Sequence, residues 1–172
     1  MQIFDNFLDD TTFKNIQDLL IDSGEFPWYY VRGKIKKELS PAIYDFQFTH
    51  NFYSDMKPNQ YFNIVFPLVS KISPSSLMRV KANMTTILND KYYFGYHNDY
   101  DVEKNPHFNE FGRTAVFYVN TNNGVTAFKN GTEVQSVENR LVVFSPKELH
   151  AGINTTDTSV RCVINLNYYP NI

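Results

Sequence analysis

The sequence predicts a mainly β domain with helices at its N-terminal end, an antiparallel sandwich or barrel. Three observations predict it. Helical spacing of apolar residues is confined to the first part of the chain. From about residue 77 onward, short alternating runs follow one another, separated by Asn/Gly turns. No helical run separates those strands, which argues against a parallel sheet.

The helical part covers about 1–75. Asp9-Asp10-Thr11-Thr12 supplies a helix cap, and Phe13, Ile16, Leu19 and Leu20 follow at helical spacing until Gly24. A second helix is expected from near Pro58 through Tyr61, Phe62, Val65, Leu68 and Val69. Trp28 to Arg32 reads as extended, and 33–50 has no dominant period. The strand part covers about 77–169. Its strands are expected at Leu77–Leu88, Tyr92–His97, Thr114–Thr121, Val125–Phe128, Glu133–Val137, Leu141–Phe144 and Ser159–Tyr169. Asn122-Asn123-Gly124 and Asn130-Gly131 are the clearest turns between them.

The size, 172 residues, fits one domain, and no linker or repeat divides it. Aromatic residues at 16% exclude a disordered chain. Sixteen basic against eighteen acidic residues leave no global field for nucleic acid or an anionic membrane. A single cysteine, Cys162, excludes an intrachain disulfide and fits a reducing compartment. The N-terminus has neither the cationic start nor the apolar run of a secretory signal, and no stretch is long enough to span a bilayer. A cytoplasmic location is therefore expected. The oligomeric state is left open.

Alternation sorts the faces of the strands. In the last one, Arg161, Val163, Asn165 and Asn167 oppose Val160, Cys162, Ile164 and Leu166. Thr114, Val116, Tyr118 and Asn120 share a face in the same way. A polar face meets water or lines a ligand cavity. Arg79, Lys81, Asn83 and Thr85 also share one face, for which a solvated sheet surface is the simpler reading and a cavity wall the alternative.

Candidate chemistry starts at His97-Asn98-Asp99, because residues two apart on a strand point the same way and can converge on one metal. The bare triplet arises readily by chance, and a surface hydrogen-bonded pair is the alternative. His150, alone, reads as a turn histidine. With His97 and Asp99 it makes the two-His, one-carboxylate set that leaves three positions open on an octahedral iron. Arg161 on a cavity face needs an anion to offset its desolvation, and its planar fork matches a carboxylate; taken alone it reads equally as a rim arginine in a surface ion pair. Tyr118 can add a hydroxyl there, with a common core tyrosine as the alternative. Asn165 and Asn83 are candidates for ordering the same cavity. The thirteen residues 100–112 are long for a sheet connection and can cover the site. His107 within them has no same-face partner and is assigned to the loop.

The order His97-x-Asp99, Arg113-Thr114-Ala115-Val116-Phe117-Tyr118-Val119-Asn120, Gly124-x-Thr126-x-Phe128, Leu141 to Pro146, His150-Ala151-Gly152 and Arg161-x-Val163-x-Asn165 resembles the Fe(II)/2-oxoglutarate-dependent dioxygenases of the prolyl 4-hydroxylase-like group. A weaker echo lies in Ile3 to Leu8. The resemblance implies a double-stranded β-helix (jelly roll). It implies Fe(II) held by His97, Asp99 and His150, and 2-oxoglutarate gripped by Arg161 with Tyr118 as second donor. It further implies O2 as cosubstrate and C–H hydroxylation coupled to decarboxylation of 2-oxoglutarate to succinate. The substrate it favours is a peptidyl proline or another peptide side chain, with small molecules as the alternative. Two departures stand out: Asn123 precedes Gly124 where the family often has a second glycine, and Arg161 stands where many animal and plant members have lysine. A cupin-type metal-binding jelly roll and a non-enzymatic interaction module are the competing readings.

Overall fold

The computed structural model of the chain describes residues 1–32, 44–101 and 103–171. Its elements in chain order are β1 (Gln2–Phe4), α1 (Asp10–Gln17), β2 (Tyr29–Arg32), β3 (Phe46–Ser54), β4 (Lys57–Pro58), α2 (Phe62–Ile72), β5 (Pro74–Thr86), α3 (Pro106–Phe111), β6 (Arg113–Tyr118), β7 (Val125–Phe128), β8 (Glu133–Gln135), β9 (Arg140–Phe144), β10 (His150–Ile153) and β11 (Val160–Pro170). They form a jelly roll of two antiparallel sheets. The larger runs β1-β9-β6-β11-β5-β3-β2, with β4 paired to β3; the smaller runs β10-β7-β8.

The larger sheet has two differently dressed faces because its strands alternate. Cys162, Ile164, Leu166 and Tyr168 of β11 join Val80 and Ala82 of β5 and Ala115 and Phe117 of β6 in one apolar layer. The helices cover that layer with Phe13 and Ile16 of α1 and Val65, Leu68 and Val69 of α2. α1 starts where expected, since the Asp9 carboxylate accepts the Thr12 amide at 3.0 Å and so satisfies one of the unpaired N–H groups of the first turn. The opposite face looks toward the smaller sheet. Val116, Tyr118, Val142, Phe144 and Val163 of the larger sheet meet Phe128 and Val134 of the smaller one there, in a second core. Cys162 is buried in the helix-covered layer, and burial pushes its thiol up to about 12, which makes it inert packing.

Two expectations are corrected. The part expected to be helical, 1–75, also supplies β1, β2, β3 and β4. β1 is a three-residue strand whose partner, β9, lies far away in the chain, so its own sequence carries little signal. β3 lies partly in the stretch with no dominant period; the residues of that stretch from 33 to 43 fall outside those described. Tyr92 to His97 is not a continuous strand. It touches β10 only through bridges at Tyr93–Ile153 and His97–His150, and Gly95 between them has φ 91, a conformation that breaks an extended run and suits glycine. Among the described residues no helix is long and apolar enough to cross a membrane.

Candidate metal centre and anion cavity

The two histidines meet by strand pairing. The His97 amide donates to the His150 carbonyl at 2.9 Å, and the His150 amide donates back at 3.0 Å. Directly opposed residues of an antiparallel pair put their side chains on the same face, and the two imidazoles lie 4.8 Å apart, centroid to centroid. β10, which carries His150, is a strand the sequence did not reveal; four residues with Ala and Gly at their centre give no alternation to read. Asp99, two residues beyond His97, completes the set. One ligand atom from each of His97, Asp99 and His150 lies within 4.8 Å of the others.

Each ligand is oriented by a second contact. His150 Nδ1 lies 3.2 Å from the Glu148 carbonyl, which can only accept. The proton therefore sits on Nδ1, and Nε2 carries the lone pair. That Nε2 is buried with no hydrogen-bond partner. A buried orphan nitrogen costs about 1–3 kcal/mol unless something meets it, so the site fits a metal ion. His97 Nδ1 lies 3.2 Å from the Gly95 carbonyl and is fixed in the same tautomer. Phe144 packs against the His150 ring at 4.9 Å. Asp99 Oδ1 pairs with the Arg79 guanidinium at 2.9 Å, and Oδ2 accepts from Asn167 at 2.9 Å. Arg79 also donates to Asn167 at 3.1 Å, and Asn167 reaches Thr114 at 3.2 Å. Burial works to raise the Asp99 pKa. Arg79, His150, the Asn167 bond and His97 overcome it and hold the carboxyl at about 2, so it is an anion at any ordinary pH.

The three ligands border a cavity of about 730 Å³ between the sheets, and Arg161 lines it too. Register explains the walls. Arg79, Lys81, Asn83 and Thr85 of β5 stand opposite Asn167, Asn165, Val163 and Arg161 of β11. Arg79, Lys81, Asn83, Thr85, Val163, Asn165 and Arg161 all line the cavity, so the polar face of β5 is a cavity wall and not a solvated surface. Arg161 is 6% exposed, donates from Nε to Ser136 at 2.9 Å and from Nη2 to Thr126 at 3.1 Å, and lies over the Tyr118 ring at 5.7 Å. Among the described residues it has no carboxylate partner.

Tyr118 sits elsewhere than expected. It is fully buried, and its hydroxyl donates to Thr126 at 2.8 Å. Thr126, read in the sequence only as part of the Gly124-x-Thr126-x-Phe128 element and without a role of its own, lines the cavity in its place. Its oxygen accepts from both Tyr118 and Arg161, which fills its lone pairs and leaves its own proton for an acceptor. Asn165 and Thr85 each present a buried oxygen without a partner.

Residues 100–112 are anchored at their far end. α3 packs Phe108 against Tyr169 and Tyr100, and His107 Nδ1 lies 3.1 Å from the Tyr169 hydroxyl, apart from the triad. Among the described residues of this stretch, Tyr100, Asp101 and Glu103 reach the cavity.

The departure at Asn123 has a local cause. Its side chain binds Lys91 at 2.9 Å, the Thr156 amide at 2.9 Å and the Thr156 hydroxyl at 2.8 Å, tying the turn to residues 154–158. Gly124 is obligatory for a different reason. A Cβ there would come 2.5 Å from Arg161 Cδ and 2.8 Å from the Ile153 carbonyl. Gly124→Ala is expected to lower stability by about 1–3 kcal/mol, as overpacking does, and to weaken the binding of any anion that meets Arg161 by displacing that side chain. A thermal melt and a binding titration check it; a variant unchanged in both would show that the contact relaxes freely.

No family model matches the sequence, and no curated protein matches it. Solved structures do match in fold. A prolyl hydroxylase from Trichoplax adhaerens, in complex with a hypoxia inducible factor oxygen degradation domain peptide fragment, is 15% identical with TM-score 0.66, covering 98% of this chain and 83% of that one. A Pseudomonas putida prolyl-4-hydroxylase is 12% identical with TM-score 0.57, covering 99% and 92%. An oxidoreductase of the 2OG-Fe(II) oxygenase family from Burkholderia pseudomallei is 11% identical with TM-score 0.59, covering 97% and 84%. The chain therefore shares its jelly roll with prolyl hydroxylases and other 2OG-Fe(II) oxygenases over nearly its whole length.

Proposed function

We propose that the chain is an Fe(II)/2-oxoglutarate-dependent oxygenase that hydroxylates a substrate C–H bond. The observation that carries the reading is the pairing of two unmet needs in one cavity: an orphaned His150 Nε2 beside Asp99 and His97, and a buried Arg161 with no acid partner among the described residues. The likeness in fold to 2OG-Fe(II) oxygenases supports it.

His97, Asp99 and His150 would hold the iron, which when bound would let O2 act as the oxidant, one oxygen atom going to the substrate C–H and the other to succinate as 2-oxoglutarate loses CO2. The chain's own work is placement. Arg161 takes the far carboxylate of the diacid through its fork, and the Thr126 proton gives it a further donor. Asn83 and Asn165 bound the space between Arg161 and the triad. Asn167 and Arg79 keep Asp99 ionised and aimed. Phe94, Val116, Leu149 and Val163 give the cavity apolar wall that excludes water from the reacting atoms. A peptidyl proline is the first substrate to test, since the Trichoplax neighbour is in complex with a peptide.

Succinate formation that requires both added Fe(II) and 2-oxoglutarate, and rises when a hydroxylated peptide or metabolite gains one oxygen in mass, is the expected result. Metal binding without any 2-oxoglutarate binding would overturn the reading in favour of a cupin-type protein.

A further inference from the structure

We infer that the primary substrate carries an anionic group, a carboxylate or a phosphate ester, and that Lys81 receives it. The inference rests on the oxygenase reading and names its substrate class. Lys81 stands on β5 one same-face step from Arg79, opposite Asn165, and lines the cavity. Its stem is half-buried, and among the described residues it has no ion pair. Arg79, its nearest cation, is committed to Asp99 at 2.9 Å.

Charge balance says what Lys81 is for. Ferrous iron, Arg161, Arg79 and Lys81 bring five positive charges to one half-buried cavity. Asp99 and the two carboxylates of the diacid return three. The diacid is already matched, one end by Arg161 and the other by the iron, so the surplus remains after it binds. In a half-buried cavity an uncompensated ammonium loses hydration and regains little. The acids at the mouth do not cancel it. Asp101 and Glu103 are exposed; Asp101 lies 3.7 Å from Lys104 and accepts the Glu103 amide at 3.0 Å, so both act through screened solvent. The second observation is beside Lys81 on the neighbouring strand β11, where the Asn165 side-chain oxygen is buried without a partner. A ligand that gives an anion to Lys81 and a donor, such as a peptide N–H, to Asn165 satisfies both neighbours at once.

The test uses the whole chain loaded with Mn(II) and the unreactive diacid N-oxalylglycine. Three capped residues are compared: acetyl-aspartate amide, acetyl-phosphoserine amide and neutral acetyl-asparagine amide. Relaxation of their protons by Mn(II) reports closeness to the metal. At least one anionic compound is expected to bind about tenfold or more tightly than the neutral one, the scale of one charge-assisted hydrogen bond. Which of the two binds assigns carboxylate or phosphate. Lys81→Met is expected to erase the preference while N-oxalylglycine affinity, read by calorimetry, stays within about threefold. Equal relaxation by all three compounds, or a preference that survives Lys81→Met, overturns the inference. So does a large loss of N-oxalylglycine in Lys81→Met, which would make Lys81 part of the diacid grip. Failure of the wild-type chain to bind Mn(II) and N-oxalylglycine at all would instead sink the oxygenase reading, and this inference with it.

Discussion

Arg161→Met is expected to abolish 2-oxoglutarate binding at working concentrations and yet leave the ligand-free protein as stable as before, or more so. The two halves of that result come from one fact. Arg161 is a buried cation held by neutral groups: Ser136 at 2.9 Å, Thr126 at 3.1 Å and the face of Tyr118. Burial pulls its pKa below the ordinary value, the mark of a charge short of compensation. Two hydrogen bonds to a charged donor, at about 1.5–3 kcal/mol each, and a desolvated cation–π contact of about 2 kcal/mol offset a desolvation cost of several kcal/mol without leaving a clear surplus. A methionine of similar length removes cost and gain together. The diacid, by contrast, loses a fork that nothing else replaces. Truncating one partner of a buried charge pair costs about 2–5 kcal/mol, roughly thirty-fold to several thousand-fold in affinity. Calorimetry with Mn(II) reads the affinity, and a thermal melt reads the stability. If Arg161 were merely structural, the melt would fall and the titration would not change.

How much of this was legible in the sequence depends on which interaction fixes each residue. Alternation by twos is local, so the cavity face Arg161-Val163-Asn165-Asn167 and the core face Cys162-Ile164-Leu166 were readable from β11 alone. His97 and Asp99 were singled out on the same period, although the stretch that carries them is not a strand: His97 makes one bridge to His150, and Asp99 follows in a bend. What pairs with what is not local. The register that sets Arg79 against Asn167, and so against Asp99, belongs to two strands almost ninety residues apart, and it turned an apparent solvated face into a wall. The reciprocal bonds of His97 and His150 likewise belong to a bridge and a four-residue strand with no pattern of their own. Tyr118 had the right parity for the cavity. Its hydroxyl instead donates to Thr126, and that short residue, read only as part of a Gly-x-Thr-x-Phe element, stands in the lining position.

Removing His150 is the other decisive change, and it can be separated from simple loss of packing. His150→Gln keeps much of the side-chain volume beside Phe144 and offers no imidazole nitrogen. It is expected to weaken Mn(II) or Fe(II) binding by more than about a hundredfold, beyond the 10–100-fold typical of residues that only support a ligand. Asn167→Ala supplies that comparison, since Asn167 touches Asp99 and is not itself placed on the metal. Its loss should fall inside the smaller range. The stability readout follows from linkage. A metal present at a hundred times its Kd stabilises the native state by about 2.7 kcal/mol, so the wild-type melting temperature should rise on adding Mn(II) and fall back on chelation. In His150→Gln the rise should vanish. The metal-free melt should stay close to that of the wild type, because of the two ring nitrogens removed Nε2 has no partner in the fold and Nδ1 gives up a single hydrogen bond, to the Glu148 carbonyl, at a net cost of about 1 kcal/mol. A glutamine variant that still melts higher with Mn(II) would place the ion elsewhere. One whose metal-free melt collapsed would mean that His150 holds the two strands together through more than the backbone bonds it exchanges with His97.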